Sequence, residues 1–386
     1  MFNLNYVKGK RNSNDKISSG NGNGNGNGNG NGNGNGNGKL VNYVNNITKD
    51  INPFYISDFN LLFFDIFYKN NKLYLIMPIY NQPYTINNFL LTLNKVNLIP
   101  SSKYIKDSYE PISVFVYDIN ETRQTEQIEQ HNNSITIDIL CNNVKKSYHL
   151  NHISTRDTPK HFLTLTTLFK HDYNLFPFFY NYYTKQGVSH FYLYYNSIIT
   201  LEIYKFFNRP LYSNVTIVEW NFHYWNPREF KYCHHAQMGQ IHHALYRYGK
   251  DVSEYMIFCD FDEYLHIPQP QLQPQPQLHQ YIKDNPSIDI FGFCNIWADT
   301  SHNEYPNSRD IPKQILAVSE HNPYCERSKN IYKVSSIKTT GIHQLCDDAY
   351  FFKLKSIINL KMYHFYRWSS KSRTIDDCTN VREFIF

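Results

Sequence analysis

The stretch YMIFCDFDEYLHIP, Tyr255 to Pro268, decides how the rest of the chain is read. An apolar run ends in three carboxylates within four positions, Asp260, Asp262 and Glu263. Like charges that close raise one another's pKa and oppose folding unless something positive sits among them. Two resolutions are open: water solvates them on an exposed turn, or a bound cation does. In an extended strand, residues two apart share a face, so Asp260 and Asp262 would converge on one ligand while Phe261 packs beneath. Oxygen-only ligands select hard cations such as Mn²⁺ or Mg²⁺, held by one or two carboxylates plus substrate phosphates. The plain alternative is a solvated turn, since a lone D-x-D recurs by chance.

Upstream of this stretch the pattern alternates strand and helix. HFLTLTTLF (161–169) reads as a buried strand, and HDYNLFPFFYNYYTKQG as an amphipathic helix ending at Gly187. VSHFYLYYNS is a second strand and IITLEIYKFFN a second helix, stopped at Arg209-Pro210; VTIVEW is a third strand. HHAQMGQIHHALYRYG is a helix closed by Gly249, and EYMIFCDF a fourth strand. This order predicts a doubly wound, parallel α/β sheet, whose ligands bind beyond the carboxyl ends of the strands. The three carboxylates lie at that end.

Further out, the chain divides into three parts. Residues 1–38 end in a perfect Asn-Gly repeat with nothing to bury, expected to be a disordered tail. Residues 40–155 read as a small, mainly-β domain: KNNK marks a hairpin, and ISVFVYDI and SITIDIL add strands. The α/β domain spans 160–378, with a Pro-Gln insertion at 268–277 and a resumed strand in IDIFGFCNIW.

Bulk properties narrow the function. The 386-residue chain holds 33 Tyr and 27 Phe, enough for a large core. Net charge is only +5 without a long basic run, so no nucleic-acid partner is expected. Seven scattered cysteines include no C-x-x-C pair, so neither a structural zinc nor a dense disulfide framework is indicated. With no signal peptide and no transmembrane segment, the sequence as written implies a cytoplasmic protein.

GVSHFYLYYNS (Gly187–Ser197), followed some sixty residues later by EYMIFCDFDEYLHIP, resembles glycosyltransferase family 92. WADTSH (Trp297–His302), RSKNIYKVSSIKTTGIH (Arg327–His343) and YHFYRWSSKS (Tyr363–Ser372) resemble later motifs of that family in the same order. The resemblance covers roughly 160–375. It implies a GT-A fold of Rossmann-like topology. It also implies a metal-dependent, inverting transfer of a sugar, commonly galactose from UDP-galactose, to a glycan acceptor hydroxyl, aided by Mn²⁺. A catalytically inactive carbohydrate-binding or scaffolding relative is the alternative. Carried over by position, the resemblance implies Asp262 as the direct metal ligand, Asp260 as a contact to the metal through water or to the ribose, and Glu263 as a residue that orients the loop or an acceptor hydroxyl. His343 and His364 are further metal ligands, and Lys329 and Lys371 meet the diphosphate. Asn196, Trp297 and His302 complete the substrate-binding set, Trp297 by stacking on a sugar ring. Two positions depart from the family pattern: Tyr195 stands where an Asp is usual, and Ala298 where a Gly is. The family's usual membrane anchor makes a Golgi or membrane-associated location the alternative to the cytoplasm.

Other candidates read more plainly. His235 and His242 share a face of their helix but lack matching ligand spacing, so that helix is expected to present a polar face, with Gln237 reaching toward the nucleotide. Asp299, Glu304, Asp347 and Asp348 are candidates for the general base that inversion requires, and the sequence does not choose among them.

Overall fold

A computed structural model of the chain describes residues 47–58, 60–78, 89–106, 111–119, 134–155, 160–225, 235–267, 277–299, 317–319, 327–343, 354–355, 360–365 and 378–379. All of these lie in one compact unit, Tyr43–Phe386. The Asn-Gly tail, most of the Pro-Gln insertion, His302, Glu304, Asp347, Asp348 and Lys371 lie outside the described residues.

The larger sheet is mixed rather than wholly parallel. Its central strands are β1 (His161–Phe169), β2 (His190–Tyr195), β3 (Val215–Glu219) and β4 (Ser253–Phe258), in spatial order β3-β2-β1-β4 and all parallel. Sequence alternation anticipated this half. Beyond β4 the pairing turns antiparallel. Four more strands belong here: β5 (Glu263–His266), β6 (Ile290–Asp299), β7 (Lys329–Lys333) and β8 (Lys361–His364). β7 runs antiparallel to β4 and β6, β8 lies parallel to β6, and β5 pairs antiparallel with β8.

Helices cover both faces. The helix α1 (Phe176–Lys185) starts with Pro177 in its first turn, where the missing N–H costs nothing. It ends before Gly187, whose φ of 89° is a left-handed value that glycine adopts without strain. The helix α2 (Leu201–Phe207) is capped by Thr200, whose hydroxyl accepts from the Ile203 amide. Phe176, Phe179, Tyr183, Ile203 and Phe207 from these helices share one buried cluster with Phe191, Leu193, Ile257 and Phe261. The helix α3 (His235–His243) packs on the opposite face, with Ala236, Met238 and Ile241 against Val218, Trp220, Met256 and Phe258.

The anticipated polar face of α3 is absent. All nine of its residues are buried, because a second sheet closes over it. In spatial order that eight-stranded sheet is Val96–Asn97, Phe89–Leu93, Ser134–Cys141, Val144–Ile153, Asp65–Lys69, Lys72–Pro78, Ile112–Asp118 and Ser102–Lys106. The expected KNNK turn is one of its two-residue hairpins, with Asn70 and Asn71 both at positive φ (49° and 61°), as a type I′ turn requires. Phe64, Phe67, Ile76 and Val114 from this region enter the same buried cluster as α3. The histidines of α3 are therefore structural. His242 Nδ1 faces the Met238 carbonyl and its Nε2 accepts from the Thr340 amide, while His243 lies between Tyr194 and Asp65.

Of the cysteines, Cys141 and Cys259 are free and buried, and Cys294 is disulfide-bonded.

Candidate active site

The strand order β3-β2-β1-β4 means that the chain first grows to one side of β1 and then crosses to the other. A crevice opens beyond the carboxyl ends of strands at such a reversal. Phe169 ends β1 and Phe258 ends β4, so the acidic stretch emerges at the reversal point.

The two aspartates do not sit in a strand, as alternation suggested. β4 stops at Phe258, and Asp260, Phe261 and Asp262 form a turn before β5 begins at Glu263. Glu263 closes that turn on itself: its Oε2 accepts from the Asp260 amide at 2.7 Å, and its own amide donates to the Asp260 carbonyl at 3.1 Å. Phe261 is buried, its ring tilted or edge-on against Phe169, Phe176 and Phe179. Tyr183 braces the turn from α1, donating to the Glu263 carbonyl at 2.9 Å and accepting from the Leu265 amide at 3.1 Å. Nothing in the sequence distinguished Tyr183 from the other aromatics of its helix.

The positive charge that the stretch needs is supplied by the chain itself. Lys329, at the start of β7, places Nζ 3.2 Å from Asp260 Oδ2 and 3.2 Å from Glu263 Oε2, with its side chain only 2% exposed. Burial alone would lower the lysine's pKa, but the two carboxylates more than offset it and hold the ammonium charged. The same ammonium keeps Asp260 below the ordinary carboxylate range although burial works the other way; the fields of His343 and His364 add to the effect. Glu263 is different. Burial, and then the charges of Asp260 and Asp262, push it up to about 7 despite Lys329. Lys329 was anticipated as a diphosphate ligand, and here its charge is directed inward at two carboxylates. Gln237 completes the cage from α3, donating to Asp260 Oδ1 at 3.2 Å while its carbonyl accepts from Tyr224 at 3.1 Å.

Asp262 faces another way. Its Oδ2 lies 3.3 Å from His364 Nε2, and its carbonyl accepts from the Phe365 amide at 2.8 Å. His364 is brought there by register: it pairs with Glu263 on β5 and with Trp297 on β6, so β8 sets the three side chains in one cross-strand row. Burial would lower the His364 pKa, but Asp262 above all, and Glu263 after it, raise it. The Trp297 ring stacks on the imidazole at 4.7 Å and 28°, and the Arg327 guanidinium lies 5.6 Å over the same indole. Sequence reading assigned Trp297 to a sugar ring and passed over Arg327.

The remaining candidates are placed as follows. His343 lies beside the cage, and its carbonyl accepts from Ser328 Oγ at 2.9 Å. Both donors of the Asn196 amide go to backbone, to the Trp220 and Phe222 carbonyls at 2.8 Å each, so it pins the chain after β3. Tyr195 is buried against Phe169, and Asp299 ends β6.

Among the described residues, no group of three or more His, Cys, Asp and Glu side chains is arranged to hold a metal unaided. Asp262 and His364 nevertheless suit a hard divalent cation whose other positions are filled by ligand oxygens and water, since such ions commonly take only one or two protein ligands. Their 3.3 Å separation is that of neighbouring donors around one ion. Asp260 is already committed to Lys329, which suits an indirect role better than a direct one.

The family model for glycosyltransferase family 92 matches residues 164–372, more than half of the chain. The chain belongs to glycosyltransferase family 92. The match runs from within β1 to beyond β8 and so contains every side chain of the cage, while the eight-stranded sheet precedes it. No curated protein matches the chain. Membership of this family makes a sugar donor and an acceptor the expected substrates. No helix among the described residues is long and apolar enough to cross a membrane.

Proposed function

We propose that this family 92 member is a metal-dependent, inverting transferase of GT-A topology that moves a sugar, galactose first among candidates, from a UDP-sugar to a glycan hydroxyl. One observation carries the reading. At the sheet's reversal point, Lys329 neutralises Asp260 and Glu263 internally, while the neighbouring Asp262–His364 pair stands outside that cage, 3.3 Å apart. The parallel order β3-β2-β1-β4 followed by antiparallel β7 supports a nucleotide-binding architecture.

In this reading Asp262 and His364 hold Mn²⁺ or Mg²⁺, which when bound supplies charge stabilisation to a departing nucleoside diphosphate. The protein's own share is preorganisation. The Glu263-closed turn and Tyr183 fix Asp262, and the β8 register fixes His364, so neither must be ordered when substrate arrives. Asp262, and Glu263 after it, raise the His364 pKa although burial lowers it, and a ligating histidine must give up its proton, so metal affinity would rise with pH.

The test is UDP-sugar hydrolysis and transfer, with and without Mn²⁺, in the wild type and in Asp262→Ala. Mn²⁺-dependent turnover in the wild type, reduced at least a hundred-fold in a variant with unchanged circular dichroism, is expected. Turnover that ignores the substitution sinks the metal assignment. A second reading, an inactive carbohydrate-binding relative, draws on the capture of Asp260 by Lys329, which leaves the D-x-D pair with one carboxylate not paired to the lysine. Donor binding without turnover under every metal condition would favour it.

A further inference from the structure

We propose that Phe64, which leads into the upstream eight-stranded sheet, is a positioning residue of this active site: it seats α3 and so sets the grip of Gln237 on Asp260. The proposal rests on the transferase reading above for its activity readout, and it adds a residue from outside the matched segment 164–372.

Gly239 stands inside α3, where the backbone has no need of glycine. Among the described residues Gly187 is the glycine at positive φ, and Gly239 keeps the ordinary turn of its helix. Glycine costs a helix stability relative to alanine, so its place here answers to a close neighbour. That neighbour is Phe64. A Cβ on Gly239 would stand 2.7 Å from two carbons of the Phe64 ring, closer than real contacts allow. Phe64 is itself fully buried, and its amide donates to the Ile76 carbonyl at 2.8 Å, which ties it to the sheet.

The same ring meets α3 at His235, with centroids 4.7 Å apart. His235 and Gly239 are four positions apart and share a face of the helix, while Gln237, midway between them, points the other way. Phe64 therefore presses on the back of the helix whose front carries Gln237. From that front, Gln237 Nε2 donates to Asp260 Oδ1 at 3.2 Å, at the long end for such a bond, so a small retreat of α3 breaks it.

Phe64 braces the facing wall as well. It stacks on Trp220 at 5.6 Å and 24° and meets Phe222 edge-on at 5.0 Å. These residues carry the chain out of β3, and the Trp220 indole donates to the Ala236 carbonyl of α3 at 2.9 Å. Two positions past Phe222, Tyr224 donates to Gln237 Oε1. One ring thus holds both supports of Gln237, the helix it stands on and the segment that hydrogen-bonds to it. Reactions that depend on placement lose rate steeply when such a support slackens.

The test is a set of substitutions with three readouts: kcat and KM for Mn²⁺-dependent UDP-sugar turnover, the urea midpoint, and hydrogen–deuterium exchange of the Asp260–Glu263 turn, which needs no substrate. Phe64→Leu should lower kcat about ten-fold, leave donor KM nearly unchanged, and quicken exchange in the turn. Gly239→Ala should do the same from the other side of the contact. The double variant should recover most of both losses, since the added methyl fills space that the smaller side chain vacates. Phe67→Leu is the control: Phe67 is buried in the same cluster, but its ring lies against Tyr74, His243 and Arg247. It should lower the urea midpoint and leave kcat and turn exchange alone. On a Gln237→Ala background, Phe64→Leu should add little further loss of kcat. Equal kcat losses in Phe64→Leu and Phe67→Leu, or an undiminished loss without Gln237, overturns the proposal and leaves the transferase reading intact. If the wild type turns over no UDP-sugar, that reading falls and exchange alone decides: faster in Phe64→Leu than in Phe67→Leu upholds the proposal, and equal rates overturn it.

Discussion

Lys329 is the residue on which the acidic turn depends. Its ammonium is the only cation within salt-bridge distance of Asp260 among the described residues, and removing it would leave the buried Glu263 beside a half-buried Asp260. Breaking a fully buried pair from one side costs about 3–5 kcal/mol, and solvent at Asp260 brings this one to about 2–3 kcal/mol. Lys329→Met should therefore lower the urea midpoint sharply, and Lys329→Met with Glu263→Gln should recover much of the loss. Equal stability of the two variants would mean that the lysine is not balancing the glutamate. This is also where sequence reading stopped short. The stretch D-F-D-E announced a charge problem, and the choice considered was water or a bound ion. The actual partner lies 69 residues beyond Asp260, in a strand whose pairing with β4 no local pattern reveals.

At the scale of elements, two devices position the site and both can be tested. Gly187 ends α1 at positive φ, and a Cβ there would come within 2.4 Å of the His279 Cβ. Gly187→Ala should cost about 2 kcal/mol or more, from left-handed strain and forced displacement together. Asp65 is the second device. Fully buried in the eight-stranded sheet, it accepts from the Asn52 amide at 2.7 Å, from Arg247 at 3.0 Å and from His243 Nε2 at 2.9 Å. Burial lowers the His243 pKa in spite of that carboxylate, so the ring is neutral, donating from Nε2 and accepting from Tyr194 at Nδ1. Asp65→Ala should destabilise by about 3–5 kcal/mol, because it strands the Arg247 charge as well as the imidazole. The strands and helices around this network were legible from alternation and from turn residues such as Asn70-Asn71. The burial of α3 was not. Its spacing of His and Gln looks like a solvated face, and only the sheet that covers it, contributed by residues far upstream, makes those polar groups interior.

For the molecule as a whole, acid should be destabilising through histidines that the fold keeps neutral. Burial drives His190 down to about 4 and His235 to about 3, from an ordinary 6.5. Above pH 6.5 both are neutral, folded or unfolded, and contribute nothing. Between 6.5 and 4 the unfolded chain takes up protons that the folded one refuses, so stability falls as pH falls, by roughly 2 kcal/mol per histidine at pH 5. Glu263 acts in the opposite sense: its folded value of about 7 exceeds the ordinary 4.5, so protonating it below pH 7 favours the fold. Urea midpoints between pH 7 and 4.5 should decline in the wild type, less steeply in His190→Gln and more steeply in Glu263→Gln. The α/β half of the chain was readable from its sequence order, as was the family it resembled. Its union with the upstream sheet, through a shared buried cluster, was not, because a tertiary interface leaves no periodicity of its own.

The most direct measurement of the central claim is Mn²⁺ binding in the presence of UDP, followed by electron paramagnetic resonance. The wild type should hold one ion, lost in Asp262→Ala and in His364→Ala, both still folded. Full Mn²⁺ occupancy in both variants would contradict the account.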